Sequence, residues 1–194
     1  MNLFRHPDSP ITSPEKFRIL YEKNHLSVFR YIFGLVGGSQ DEAEDLTAET
    51  FLRAWKARYR FEGDLDSAIG WLIQIAKRLI IDNYRRSLRA TRNLSTDLQS
   101  ISTPEQIAIE DEQRTTLFAL LKELPDEQRE ILVLRHMLGW RVSDIANHIG
   151  MTENNVSVII HRTLAKLKDK WLEADPERRS LEFAQKEKSH ETHP

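Results

Sequence analysis

The stretch that decides the fold runs from Val142 to Lys168 and reads VSDIANHIGMTENNVSVIIHRTLAKLK. Ala146, Gly150 and Val156 follow one another at offsets of four and six residues, which is the skeleton of a helix-turn-helix. A small residue at Ala146 lets two helices cross closely, and Gly150 can supply the positive φ that ends the first helix. Thr152 is placed to cap the second helix. Because such a unit lays its second helix in the major groove, the stretch points to DNA.

The second helix of this unit is predicted to have an inner and an outer face. The inner face, which would hold the helix to its domain, comprises Val156, Ile160, Thr163, Leu164 and Leu167. The outer face comprises Asn154, Asn155, Val158, His161 and Arg162, and further bases follow at Lys166, Lys168 and Lys170. Asparagine can pair with adenine, and arginine with guanine or phosphate. A helical hairpin used only for protein contact remains the alternative.

Composition bounds the class of protein. The 194 residues suffice for one ordinary domain or two small ones, and only 7 Gly and 7 Pro favour long helices over β structure. The absence of cysteine excludes disulfides and thiolate zinc sites and fits a reducing cytoplasm. No apolar run approaches the length of a membrane span, and the N-terminus lacks a signal-peptide core. We therefore expect a cytoplasmic protein without membrane insertion.

Charge is segregated along the chain although the net charge is only −2. Residues 41–49 hold five carboxylates and no base, whereas residues 77–92 hold six bases and one acid. This segregation suggests two different partners, one of them anionic.

Hydrophobic periodicity predicts an all-α fold with two small helical domains joined by a flexible linker, the C-terminal domain containing the helix-turn-helix. Ser13-Pro14-Glu15 resembles a helix start, and Gly37-Gly38 stops the first helix. Two more helices follow, at about 41–58 and 67–89, separated by a loop around Gly63. The predicted boundaries are 14–92 for the first domain, 93–112 for the linker, 113–172 for the second domain and 173–194 for a charged, disordered tail.

The periodicity also predicts which side chains are buried. In the first helix the repeat comprises Phe17, Leu20, Tyr21, Val28, Phe29 and Ile32. In the second helix the inner face comprises Ala43, Leu46, Thr50, Phe51 and Ala54. In the third helix it comprises Leu72, Ile75, Ala76, Leu79 and Asn83.

The second helix carries an acidic outer face. Asp41, Asp45, Glu49 and Leu52 point away from its apolar stripe, and Glu42 lies on the flank of that stripe. A solvated surface is the ordinary interpretation of such a face. A docking face for a basic helix is favoured when Leu52 and Trp55 are exposed beside the acids. A carboxylate metal site is not indicated, because no Glu-x-x-His pair is present.

The third helix carries a basic outer face with Gln74, Lys77, Arg78 and Arg85, and with Trp71 at the edge. Amide, guanidinium and aromatic groups together suit phosphate contacts and stacking on unpaired bases. The preceding loop adds aromatic and basic groups that could hold an extruded base. A solvated basic helix with a core tryptophan is the alternative.

Three motifs in order resemble the bacterial sigma-70 family, specifically its small extracytoplasmic-function (ECF) group. They are DEAEDLTAETFLRAW at 41–55, WLIQIAKRLIIDNYRR at 71–86, and LPDEQREILVLRHMLGWRVSDIANHIGMTENNVSVIIHRTLAKLK at 124–168. The resemblance spans about 17–171. It implies a promoter-specificity subunit that binds core RNA polymerase and promoter DNA, without catalytic activity or cofactor, and with an anti-sigma factor as a further partner common in the family.

The resemblance also assigns residues to three contacts. For core polymerase it implies Asp41, Glu42, Asp45, Glu49 and Leu52. For the −10 element it implies Arg58, Arg60, Phe61, Trp71, Gln74, Lys77, Arg78 and Arg85. For the −35 element it implies Asn154, Asn155, Ser157, Val158, His161, Arg162 and Lys166. Many members differ from this chain at Arg78, Ser157 and Ile159, so the promoter sequence is not carried over.

Two other functions compete with this interpretation. An autonomous helix-turn-helix regulator would recruit a complete polymerase and would bind its operator tightly by itself. The net-acidic chain disfavours this, since phosphate neutralisation supplies much of such affinity. A nuclease built on the carboxylate cluster would need paired metal-ligand spacing, which the sequence does not display.

Overall fold

The computed structural model describes residues 11–93 and 108–174. Within these ranges the chain is helical and contains no strand, which confirms the all-α prediction. The α-helices are α1 (Pro14–Leu35), α2 (Gln40–Ala57), α3 (Ala68–Asn93), α4 (Ala108–Lys122), α5 (Asp126–Leu132), α6 (Val142–Ile149) and α7 (Glu153–Ala174). A 3₁₀ turn spans Arg58–Arg60, and a π-helical segment spans Val133–Met137. No helix in the described ranges is long and apolar enough to cross a membrane.

The described residues form two compact units. The first contains 11–93 and 133–140, and the second contains 108–132 and 141–174. Helix α4 begins at Ala108, inside the stretch predicted to be linker. The rest of that predicted linker, from residue 94 to 107, and the predicted tail beyond Ala174 lie outside the described residues.

Helices α1, α2 and α3 pack against one another in the first unit. Local signals start α1 as predicted: Pro14 opens the helix, and the Ser13 hydroxyl accepts a hydrogen bond from the Lys16 N–H at 3.3 Å. Gly37 and Gly38, at φ 77° and 82°, follow the end of the helix. The inner face predicted for α2 is confirmed, because Ala43, Leu46, Thr50, Phe51 and Ala54 are all buried.

The inner face of α3 is partly different from the prediction. Ile73 is fully buried, whereas Ile75 and Asn83 are only partly buried. Helix α3 contacts both α1 and α2, so its buried stripe is centred on Leu72 and Ala76 and widens toward Ile73. Hydrophobic periodicity predicts that α3 has a buried stripe. It does not predict on which side a second neighbouring helix widens that stripe.

Helices α4, α5 and α6 each pack on α7 in the second unit. The guanidinium of Arg129 donates hydrogen bonds to the carbonyl oxygens of Leu121 at 3.0 Å and of Lys122 and Leu124 at 3.1 Å. These carbonyls belong to the end of α4 and the turn after it, where helical partners run out. Arg129 therefore joins the end of α4 to α5.

The buried stripe of α7 is narrower than predicted. Val156, Thr163 and Leu167 are buried, Ile160 is half-buried and Leu164 is exposed. The three buried residues lie within about 20° of one line along the helix, whereas Leu164 is turned about 80° from Val156 at 100° per residue. The prediction that Leu164 holds the helix to its domain is therefore wrong.

Candidate nucleic-acid and protein interfaces

The acidic face of α2 is open at its centre. Asp41 and Asp45 are exposed, and the described residues provide neither with an ion pair or hydrogen bond. Leu52 lies on the same face and is 46% exposed, although it is a large apolar side chain. Leu52 thus shares a face with two free carboxylates, which lie about two and three turns nearer the start of the helix. Such a face is suited to a basic partner with an apolar contact of its own.

Two other predicted docking residues are already engaged in contacts within the first unit. The side-chain amide of Asn83 in α3 donates to Glu42 at 2.7 Å. Glu49 accepts from Arg53 at 2.9 Å, and the Arg53 guanidinium also reaches Asp82 of α3 at 3.8 Å. Glu42 and Glu49 are only half-exposed. The open part of the acidic face therefore comprises fewer groups than the sequence predicts.

Trp55 is half-buried, so the expectation of an exposed Trp55 beside the acids is wrong. Its ring meets Phe17 edge-to-face, with 5.0 Å between ring centres. Tyr21 of α1 is exposed, although the periodicity placed it on the inner repeat. Its ring lies 4.7 Å from that of Phe51 in α2. The sequence does not predict the exposure of Tyr21 or its contact with Phe51, because both depend on how α1 and α2 cross.

Arg58 is a structural residue in this fold. Its guanidinium donates to the carbonyl oxygens of Thr12 at 3.2 Å and Trp55 at 2.7 Å, and to the hydroxyl of Tyr59 at 2.7 Å. It also lies 3.6 Å from the centre of the Trp55 ring. A half-buried cation with these partners fastens the segment before α1 to the end of α2.

Phe61 is likewise internal. Its side chain is 6% exposed, and its ring lies 4.9 Å from that of Trp71. A Cβ on Gly63 would lie 2.8 Å from the Phe61 ring, so this glycine allows the loop to close over the ring. The predicted role of Phe61 in holding an extruded base would need the ring to leave this packing. Of the three predicted loop contacts, Arg60 is exposed.

The rest of this loop is fixed by polar contacts. Asp64 accepts a hydrogen bond from the Ser67 N–H at 2.7 Å, and this bond holds the pKa of the Asp64 carboxyl below its usual value. Lys23 of α1 forms an ion pair with Asp66. The loop thus enters α3 in one defined conformation.

We expect Arg58→Ala to destabilise the protein by about 2 kcal/mol, because it removes charged hydrogen bonds to main-chain carbonyls. Arg58→Lys should not restore the loss, since an ammonium cannot reproduce the planar fork. Urea unfolding measures the free energy of unfolding of both variants. Exposed Arg60→Ala is the matched control and should leave stability unchanged; equal destabilisation by the two alanine variants would contradict the structural role.

The basic face of α3 is present as predicted. Gln74, Arg78 and Arg85 are exposed, and Lys77 and Trp71 are half-buried. Beyond Asn83 the helix extends past the core, since every side chain from residue 84 to 89 is exposed. This extension carries the large apolar side chains of Tyr84 and Leu88, for which the sequence predicts no contact.

The helix-turn-helix is confirmed in its local geometry. Gly150 has φ 80°, and its N–H and that of Met151 each donate to the Ala146 carbonyl at 2.9 Å. The Thr152 hydroxyl accepts from the Asn155 N–H at 3.3 Å and caps α7. The predicted outer residues are all exposed: Asn154, Asn155, Ser157, Val158, His161, Arg162 and Lys166. The second helix therefore offers a continuous polar and basic surface.

Comparison with known proteins decides the family. The model of Sigma-70 region 2 matches residues 20–90, and that of Sigma-70 region 4 matches residues 114–167. The ECF RNA polymerase sigma factor SigL of Mycobacterium tuberculosis is 32% identical over 156 residues, which cover 78% of this chain and 86% of SigL. The chain belongs to the sigma-70 family. SigX of Bacillus subtilis, another ECF sigma factor, is 26% identical over 162 residues, 79% of this chain and 82% of SigX.

Solved structures agree with this fold. The sigma factor RpoE of Bartonella quintana, solved with the anti-sigma factor NepR, gives a TM-score of 0.63 at 22% identity. The match covers 83% of this chain and 99% of RpoE. As an ECF member of its family, this sigma factor is a promoter-specificity subunit that binds core RNA polymerase and promoter DNA.

Proposed function

We propose that three surfaces divide the work of this sigma factor: the acidic face of α2 for core polymerase, the basic face of α3 for the −10 element, and the outer face of α7 for the −35 element. The first two belong to the predicted domain 14–92 and the third to the predicted domain 113–172. The matches to region 2 and region 4, in this order, support the division.

Core docking is assigned to Asp41, Asp45 and Leu52, because these side chains are exposed and free of the internal contacts that engage Glu42 and Glu49. Carboxylates on the same helix face as an apolar anchor guide a basic partner and gain strength as water is excluded. This exposed arrangement is the single observation that carries the proposal.

We assign the outer residues of α7 to the −35 element. Asn154 and Asn155 stand in the first turn of the helix, where a recognition helix meets base edges. Arg162 and Lys166 lie about two and three turns further along and suit phosphate or guanine contacts. In this proposal the chain acts by binding in the cytoplasm beside RNA polymerase and performs no catalytic step.

An anti-sigma partner is a further part of the proposal. RpoE of Bartonella quintana was solved with NepR, and CnrH, at a TM-score of 0.58 and 23% identity, was solved with the cytosolic domain of CnrY. We propose that this sigma factor is also held by a protein of that class.

Photocrosslinking tests the docking face. A benzophenone amino acid in place of Leu52 should crosslink to core polymerase, because this side chain is the exposed apolar part of the proposed contact. Glu44 is the matched control, exposed on the same helix about 80° away from Leu52. The same amino acid at position 44 should give little crosslink. Equal yields at the two positions would reject the assignment.

A further inference from the structure

One apolar side chain lies on the outermost line of α7. Val156, Thr163 and Leu167 are buried along one line of this helix, and their burial fixes how α7 is turned about its axis. At 100° per residue, Val158 is turned about 160° from that line, so it points almost directly away from the domain. Val158 is 38% exposed. The helix therefore presents a branched apolar group where its outer face projects furthest.

Polar side chains lie on either side of this valine. Asn154 lies one turn before Val158 and Arg162 lies one turn after it, and both are exposed. Asparagine and arginine bind base edges and phosphates through hydrogen bonds, which a valine side chain cannot form. The pattern indicates that the ligand has an apolar group opposite Val158, between the groups that the two polar residues bind.

The major groove of DNA offers such a group in the C5-methyl of thymine. The groups that distinguish the other bases there are hydrogen-bond donors and acceptors. An aliphatic side chain that meets the methyl group removes apolar surface of both partners from water. Valine suits this contact because β-branching leaves it one strongly preferred rotamer in a helix, so that little side-chain freedom is lost on binding.

We propose that Val158 contacts the methyl group of a thymine in the −35 element and so selects an A·T pair at that position. This inference rests on the proposed −35 role of α7 and names a chemical feature of the sequence that the helix reads. Asn154 and Arg162 then contact DNA on either side of that pair, because residues one turn apart on a helix in the groove reach nearby positions.

The experiment uses polymerase reconstituted from the full chain and core enzyme, and a duplex promoter fragment whose start site has been mapped with this polymerase. Each thymine of the −35 block is replaced in turn by uracil, which lacks the methyl group and keeps the base pairing. At one position the replacement should weaken binding about fourfold, as expected for one apolar carbon left in water. Val158→Ala should bind the unmodified fragment more weakly by a similar factor, and should not distinguish thymine from uracil at that position.

Leu164→Ala is the matched control. Leu164 is 39% exposed on the same helix, but it is turned about 120° from Val158. This variant should retain both the affinity of the original protein and its sensitivity to uracil. Alanine favours the helix more than valine or leucine does, so weaker binding by Val158→Ala would not reflect loss of the helix.

Two results would overturn the methyl contact: a uracil effect that persists in Val158→Ala, or a −35 block in which no thymine is sensitive to the replacement. Weaker binding by Val158→Ala that is the same with and without the −35 block would mark the side chain as a protein contact and would overturn it as well. If binding by the original protein survives scrambling of the −35 block, the proposed role of α7 itself is rejected.

Discussion

Asp45→Lys is expected to weaken binding to core polymerase by about 100-fold or more. Asp45 is exposed on the same helix face as Leu52, so docking would bury the lysine against the basic groups that the carboxylate attracts. Like charges at a desolvated contact cost several kcal/mol. Titration of labelled core enzyme measures the loss, and circular dichroism should show unchanged helix content.

Glu44→Lys is the matched control for this variant. Glu44 precedes Asp45 and is exposed, and its replacement by lysine changes the net charge by the same amount. Its side chain, however, is turned about 100° around the helix from that of Asp45. Its one recorded partner, Gln40, is also exposed. We expect core binding to fall by less than about threefold. Comparable losses for both variants would mean that net charge, and not a defined docking face, governs the interaction.

Val156→Asp is expected to unfold the second unit. Val156 is fully buried near the start of α7, the helix on which α4, α5 and α6 all pack. A carboxylate there would have no polar partner, and burial of an unpaired charge is among the few changes that cost more than about 4 kcal/mol. Hydrogen exchange should show loss of protection from α4 to α7, with −35 binding abolished.

Val158→Asp separates the DNA surface from the core. This residue lies two positions further along α7 and is 38% exposed on the outer face. We expect the fold to survive and affinity for −35 duplex to fall, since a negative charge would approach the phosphates. Normal DNA binding by Val158→Asp, or native protection in Val156→Asp, would contradict the orientation of the recognition helix.

Local chemistry explains what the sequence could predict. Three helix ends depend on residues within one turn of them. Ser13 caps the start of α1, Thr152 caps the start of α7, and Gly150 ends α6 with a positive φ, as predicted. The buried face of α2 was also predictable, because a single apolar stripe recurs at helical spacing. The order of the elements, together with these local signals, was enough for the fold class.

Contacts between distant residues explain what the sequence could not predict. Arg58 is bonded to Thr12, 46 residues earlier, and Phe61 packs on Trp71. Two groups predicted to contact DNA are therefore engaged in intramolecular contacts. Glu42 is held by Asn83 in another helix. Residue type and spacing indicate that such side chains could bind a ligand, but only the packing shows whether they are already engaged.

The central claim is that this chain directs core RNA polymerase to promoters. Its most direct test is transcription from genomic fragments, by core enzyme alone and by core enzyme plus this chain. The account predicts defined start sites only when the chain is present, each preceded by two recurring sequence blocks at constant spacing. The absence of transcripts above the core background would contradict it. Tight duplex binding by the chain alone, with stimulation of an already complete polymerase, would contradict it as well and would identify an autonomous regulator.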